Sequence, residues 1–223
     1  MKKIIFFVTA FLCTVLTGCE YDNYEAPKSI LSGKVTYQNE PVGVRSNATQ
    51  LELWQDGYAL SAKIAVSINQ EGNYSACLFD GAYKLVRLAG APWENLTDTI
   101  PVMVKGNTVV DVPVTPYFII RNAAFRKDGD KIAATFTIEK VSSSANLSLA
   151  RLYLGKTIIT DQNNNVANAT LNVADITLGQ TVSLSVPISA NIASADYLFA
   201  RVGVQTVGVG ELYYTESHKI DLK

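Results

Sequence analysis

The chain has 223 residues, 48% of them hydrophobic, with 19 Lys and Arg against 20 Asp and Glu and a formal charge of −1. That balance leaves no electrostatic footprint for nucleic acid, and no basic stripe runs along the chain. The single histidine, His218, and the three cysteines, Cys13, Cys19 and Cys77, lack the short clustered spacing that a Cys/His zinc site needs.

In chain order, Lys2 and Lys3 precede an almost wholly apolar run over 4–16, and Leu16-Thr17-Gly18 brings small residues up to Cys19. A charged start, a short apolar stretch and a small-residue cleavage point predict a secretory signal peptide over 1–18, too short for a spanning helix. The tripeptide before Cys19 resembles a bacterial lipobox, in which the peptidase cuts ahead of a lipidated cysteine. The other reading is an ordinary cleaved signal followed by a chance cysteine. Two acyl chains of the palmitate kind anchor stably where one is marginal. On the lipobox reading Cys19 is the lipid anchor and residues 19–29 are a lipidated acidic spacer, with Glu20, Asp22 and Glu25 solvated and Pro27 limiting its collapse. Acids directly after Cys19 resemble the signal that sends Bacteroidetes lipoproteins to the extracellular face of the outer membrane. No second apolar run is long enough to cross a bilayer, so membrane contact is expected through the lipid alone.

Residues 30–116 read as strands over 31–37, 50–54, 64–68, 74–79, 83–88, 100–104 and 109–114, parted by turn signals such as Asp56-Gly57, Glu71-Gly72-Asn73 and Gly106-Asn107. Short strands at this spacing predict a sandwich or barrel. The alternation Ile64-Ala65-Val66-Ser67-Ile68 suits a sheet with one wet face. With Cys13 in the leader and Cys19 lipidated, Cys77 has no disulfide partner, and its apolar surroundings, Ala76-Cys77-Leu78-Phe79, predict a small core residue. SGKVTYQNEPVGV and EGNYSACLFDGAYKLV resemble the carboxypeptidase-regulatory or prealbumin sandwich, through Gly33, Val35, Pro41, Val42, Gly72, Tyr74, Gly81, Tyr83 and Leu85. That resemblance implies a fold and is silent on activity.

Thr115-Pro116 interrupts the pattern and marks a boundary. Residues 117–223 read as strands over 117–125, 132–141, 147–154, 157–160, 166–173, 180–186, 197–204 and 212–220, with tight hairpin turns at Asp128-Gly129 and Gly155-Lys156. This half resembles a fibronectin type III or immunoglobulin-like sandwich, most clearly in DYLFARVGVQTVGVGELYYTESHKIDL. Taking Tyr197 as that family's corner tyrosine puts Arg201 where an apolar residue is expected. Counting from Leu198 restores the alternation Leu198, Ala200, Val202, Val204 but removes the tyrosine. The expected fold is therefore all-β: two tandem β-sandwich domains, the first prealbumin-like and the second fibronectin/Ig-like.

Taken together, CEYDNYEAP, SGKVTYQNEPVG, LELWQDGY, YSACLFDGAYKLV and VTPYFIIRN resemble a two-domain family of Bacteroidetes outer-membrane lipoproteins of unassigned function, found beside starch-utilisation-type (SusC/SusD-like) glycan importers. The resemblance implies a surface lipoprotein assisting glycan capture and uptake, with a glycan and a SusC/SusD-like transporter complex as partners. It brings no catalytic or binding residues.

Few residues suit catalysis. His218, in the last strand, is the only imidazole, and no Gly-x-Ser-x-Gly elbow occurs. A glycosidase needs only two carboxylates across a cleft, but two small sandwiches leave little wall for one. The reading is non-catalytic, without cofactor or metal. Asp161, Asn163 and Asn165 alternate like oxygen ligands, yet Val166 and Asn172 stand where a calcium loop needs glycine and an acid, so this is a polar hairpin tip. Gly208-Val209-Gly210 is a turn or bulge. Asp98-Thr99-Ile100 matches the acid-Thr-aliphatic pattern of Bacteroidetes O-glycosylation, making Thr99 a candidate.

Sugar binding needs only an exposed aromatic plane with polar neighbours, typically on a loop. Trp93, in the 90–95 loop, leads the candidates. Trp54, turned with Glu52 away from Leu51 and Leu53, and Tyr58, beyond the Asp56-Gly57 turn, follow. Tyr213 and Tyr214 point to opposite faces, so at most one is core. The expected function is a non-catalytic, carbohydrate-binding surface lipoprotein. The alternatives are a structural or adhesive module docking on an outer-membrane transporter or host protein, and a small hydrolase.

Overall fold

Strand alternation closes two separate cores, one in each half of the chain. The computed structural model describes residues 25–57 and 62–223. The expectations for the leader, for Cys19 and for Tyr58 lie outside the described residues.

The first domain contains β1 (Ser29–Tyr37), β2 (Glu40–Pro41), β3 (Gln50–Trp54), β4 (Ile64–Ser67), β5 (Asn73–Leu78), β6 (Gly81–Arg87), β7 (Ile100–Val104), β8 (Thr108–Val109) and β9 (Val112–Pro113). One sheet is built around β1, which pairs antiparallel with β2 and β5 and parallel with β8 and β9. The other runs β4-β3-β6-β7. Leu31, Val35, Leu51, Leu53, Tyr83, Leu85 and Val104 pack between them. The expected strand 109–114 is broken in two. Asp111 takes the Lys34 backbone N–H on its carboxylate at 2.9 Å, and the Val110 carbonyl takes the Tyr74 hydroxyl at 2.5 Å. At this crossing Gly33 is required, because a Cβ there would lie 1.8 Å from the Val110 oxygen. Cys77 corrects the sequence expectation. It is exposed, with its thiol donating to the Pro27 carbonyl at 3.1 Å. Tyr74 and Leu78 fill the inward positions of β5, and parity puts Cys77 outside.

The second domain contains β10 (Phe118–Asp128), β11 (Lys131–Lys140), β12 (Leu147–Gly155), β13 (Ala167–Asn172), β14 (Thr181–Pro187), β15 (Tyr197–Thr206), β16 (Tyr213–Tyr214) and β17 (His218–Asp221). Sheet β10-β11-β14 faces sheet β13-β12-β15-β16, whose β15 also pairs with β17. Phe118, Ile132, Phe136, Leu152, Leu154, Leu198 and Val202 fill the space between. The turn at Gly129 closes β10 onto β11, with Asp128 paired to Lys131. Residues 157–160, in contrast, are not a strand, and Gly155-Lys156 is no tight hairpin. β12 ends at Gly155, and its partner resumes only at Ala167. Between them Asp161 turns its carboxylate inward, taking the N–H groups of Asn163 at 2.8 Å and Asn164 at 2.9 Å. That polar tip is a self-capped turn. No helix among the described residues is long and apolar enough to cross a membrane.

Arg201 explains the broken alternation in β15. Leu198, Ala200, Val202 and Val204 point into the sandwich, so Arg201 emerges on the other face, where the first domain covers it completely (0% exposed). Its Nε donates to the Thr215 carbonyl at 2.7 Å and its Nη1 to that of Thr160 at 3.4 Å. Nη2 crosses the seam to the Val44 and Gln70 carbonyls at 3.0 and 2.9 Å. The guanidinium lies 4.4 Å from the centre of the Tyr214 ring. Burial pushes the Arg201 pKa down to about 10 against the pull of Tyr214, Asp161 and Glu71, which leaves it charged near neutrality. Beside it the Tyr214 N–H donates to the Gly43 carbonyl at 3.0 Å, and Arg45 forks onto Glu211 at 2.5 and 3.1 Å. Arg121 pairs with Glu40 farther along. At the covalent crossing, Tyr117 N–H donates to Pro92 and Glu94 N–H to Thr115. The two sandwiches are thus joined by main-chain bonds at both ends of the seam.

Replacing Arg201 with Ala strands the carbonyls of Thr215, Thr160 and Val44, while that of Gln70 keeps the Val44 N–H, and should lower unfolding free energy by about 3 kcal/mol or more. Urea denaturation followed separately in each domain would show it as a lower midpoint with less coincident transitions. Tyr74 supplies a second expectation. Burial, with Asp111 nearby, raises its phenol from 10.0 to about 12. The unfolded chain gives up that proton first, so this stability is intact below pH 10 and is lost as pH rises through about 12. Urea midpoints measured alongside tyrosinate absorbance across that window check the sign.

Candidate functional site

The seam leaves a groove of about 560 Å³ between the two domains, lined by Glu71 from the first and by Phe125, Tyr213, Glu216, Ser217 and His218 from the second. Its volume falls in the range of small-molecule sites.

A bulge in β10 sets the aromatic wall. The register with β11 shifts by one residue between Arg121 and Ala124, and Asn122 takes a left-handed φ of 53°. Asparagine tolerates that conformation better than most residues. The extra residue reverses the parity of β10. Phe118 and Ile120 point inward before it, and Phe125 does so after it, half-buried at the open edge of the sandwich. Here β10 meets β17, whose exposed His218 stacks on Phe125 with ring centres 5.5 Å apart and planes inclined by 16°. On β16, Tyr214 is buried beneath Arg201, so its neighbour Tyr213 turns the other way and lines the groove. Burial raises the Tyr213 phenol, with Arg121 opposing and Glu40 reinforcing, so it remains a neutral hydroxyl.

The polar wall consists mainly of acceptors. Gln70 Nε2 donates to Glu71 at 2.8 Å, which leaves its own buried Oε1 without a hydrogen-bond partner. Ser217 donates to the Ile158 carbonyl at 2.8 Å. Among the described residues, no group of three His, Cys, Asp or Glu could hold a metal ion. Aromatic faces beside carboxylates form a surface that can stack on a ring's apolar side and receive hydroxyl protons.

Of the aromatics singled out by sequence, neither tryptophan lies here. Trp93 is 1% exposed, inside the first domain's core, with its Nε1 buried and unpartnered. The expected stacking platform is a core side chain. It is drawn in because its segment pairs with Pro116 at the crossing between domains. Trp54 is half-buried and, as expected, shares a face with Glu52, to which its Nε1 donates at 3.2 Å. Lys63 holds the same carboxylate at 2.5 Å, and neither aromatic lines the groove. Tyr58 lies outside the described residues. Thr99 is exposed next to Asp98, which Arg87 holds at 2.5 Å. Phe125 and His218 were both within expected strands. The only local sign of the bulge was Asn122, a turn-type residue in mid-strand. The pairing of 125 with 218 is a tertiary event with no local signature.

Trp93→Ala should therefore act on stability, costing about 3–5 kcal/mol by loss of a large core side chain. Denaturation curves check this, and any loss of ligand binding in that variant should follow the unfolded fraction.

Comparison with known proteins places this architecture. Residues 29–115 match the "Protein of unknown function (DUF3823) N-terminal domain", and residues 118–219 match the "Domain of unknown function (DUF3823_C)". Two solved DUF3823 family proteins align over 88% of this chain and 100% of theirs with a TM-score of 0.82. One, from Bacteroides ovatus, is 45% identical and the other, from Parabacteroides merdae, is 37% identical. A candidate carbohydrate-binding protein from Bacteroides uniformis, 20% identical over the same shares with a TM-score of 0.73, has the same fold. No curated protein matches the chain. With both domains matched in order and a relative 45% identical along its whole length, the chain belongs to the DUF3823 family.

Proposed function

We propose that this protein is a non-catalytic glycan-binding lipoprotein of the outer-membrane surface, and that the groove between its domains is the sugar site. One observation carries the reading: a stacked Phe125–His218 pair and Tyr213 share a single groove with Glu71 and Glu216. A sugar ring offers a CH face to the aromatics and hydroxyl donors to the carboxylates, and this wall offers the complement of both. The fold is compatible with that use, since the Bacteroides uniformis neighbour assigned to candidate carbohydrate binding has it too.

In this reading Cys19 carries the lipid, the acidic spacer lifts the domains from the membrane, and bound glycan is passed to a SusC/SusD-like importer. Thr99, exposed on its loop, remains the O-glycosylation candidate.

Phe125→Leu keeps an apolar side chain of similar size while removing the aromatic plane, and such swaps usually cost less than about 1.5 kcal/mol. Glycan affinity measured by calorimetry should fall about tenfold, roughly 1.4 kcal/mol, with the melting curve nearly unchanged. Equal affinity in the two proteins would reject the groove. Cys19→Ala should move the protein from the membrane fraction to the soluble fraction.

A further inference from the structure

The groove's chemistry is one-sided, and this selects among sugars. Resting on the glycan reading above, we infer that the groove takes neutral or amino-bearing glycans and rejects uronate-bearing and sulfated ones. Its charged lining residues are carboxylates, Glu71 and Glu216, and no lysine or arginine lines it among the described residues. A third acceptor, the Oε1 of Gln70, is more than nine-tenths buried and has no donor. Beside the Tyr213 hydroxyl and the His218 imidazole N–H, the charged groups of this wall are acceptors, so hydroxyl and ammonium groups complement it, whereas carboxylate and sulfate groups add more acceptors and like charge.

The neighbouring cations are already engaged. Arg201 lies under Tyr214 with its N–H groups spent on four carbonyls. Glu71 helps hold its charge, and it has no free fork for an anion to grip. Arg121 is paired with Glu40, and Lys127 donates to the Leu222 carbonyl at 2.5 Å. Arg126 and Lys219 alternate away from Phe125 and His218, and Lys219 lies 4.3 Å from the centre of the Tyr197 ring. Bidentate capture of an anionic sugar is therefore missing, and the repulsion of Glu71 and Glu216 remains.

The test uses a printed array of neutral, amino-bearing, uronate-bearing and sulfated oligosaccharides, probed at neutral pH with the full chain and with its Phe125→Leu variant. Signals that fall in the variant should be confined to neutral and amino-bearing glycans. By calorimetry, a neutral hit should bind at least about tenfold more tightly than its uronate counterpart of the same linkage, and the double variant Glu71→Gln, Glu216→Gln should narrow that gap. A uronate or sulfated glycan bound as tightly, with the same dependence on Phe125, overturns the charge selection and leaves the groove standing. So does a gap that the double variant leaves unchanged. Loss of no signal at all in Phe125→Leu overturns the groove reading, and the selection with it.

Discussion

A guanidinium keeps its proton near neutral pH, so burying Arg201 fixes the position of whatever its N–H groups reach. Four carbonyls answer it, from Thr215, Thr160, Val44 and Gln70, with the Tyr214 face against its plane. A buried charge without such partners would cost several kcal/mol. The two sandwiches therefore have strong reason to meet in one arrangement. Val44 and Gln70 belong to the first domain and Thr160 and Thr215 to the second, so neither half can satisfy the arginine alone.

The groove is a by-product of that joint. Gln70 is held through its carbonyl by Arg201, and the next residue, Glu71, is thereby set against Tyr213 and the β10–β17 edge. Tyr214 goes under the guanidinium, which sends Tyr213 to the other side. The bulge at Asn122 then reverses the parity of β10 and brings Phe125 against His218. Each placement follows from period-two geometry once a single residue is pinned or inserted.

Much of the fold was legible in the sequence because alternation is local. The strand series, the Asp128-Gly129 hairpin and the polar tip at Asp161 all depend on neighbours a few residues away. Failures arose where a distant element decided. Cys77 sat in an apolar run, yet strand parity turned it outward. Residues 157–160 have β-prone composition, but the loop they form is tied to Ser217 and Arg201. Trp93 followed a loop proline and so invited a surface role, while pairing at the domain crossing drew it inside. The misfit at Arg201 was visible from the start as a charge where an apolar residue was expected. Its meaning required a second domain to cover that face.

The acceptors that Arg201 reaches across the seam, at Val44 and Gln70, are main-chain oxygens. Every residue type carries one, so this half of the joint is indifferent to side-chain identity, and its specificity rests on the arginine alone. Gly43 is the exception, since a Cβ there would lie 2.3 Å from the Tyr214 carbonyl. Mutational tolerance around the buried arginine is accordingly lopsided. Away from Arg45 and Glu40, which pair with Glu211 and Arg121, first-domain positions can drift as long as the backbone keeps its path and residue 43 stays bare, whereas position 201 must keep its donors.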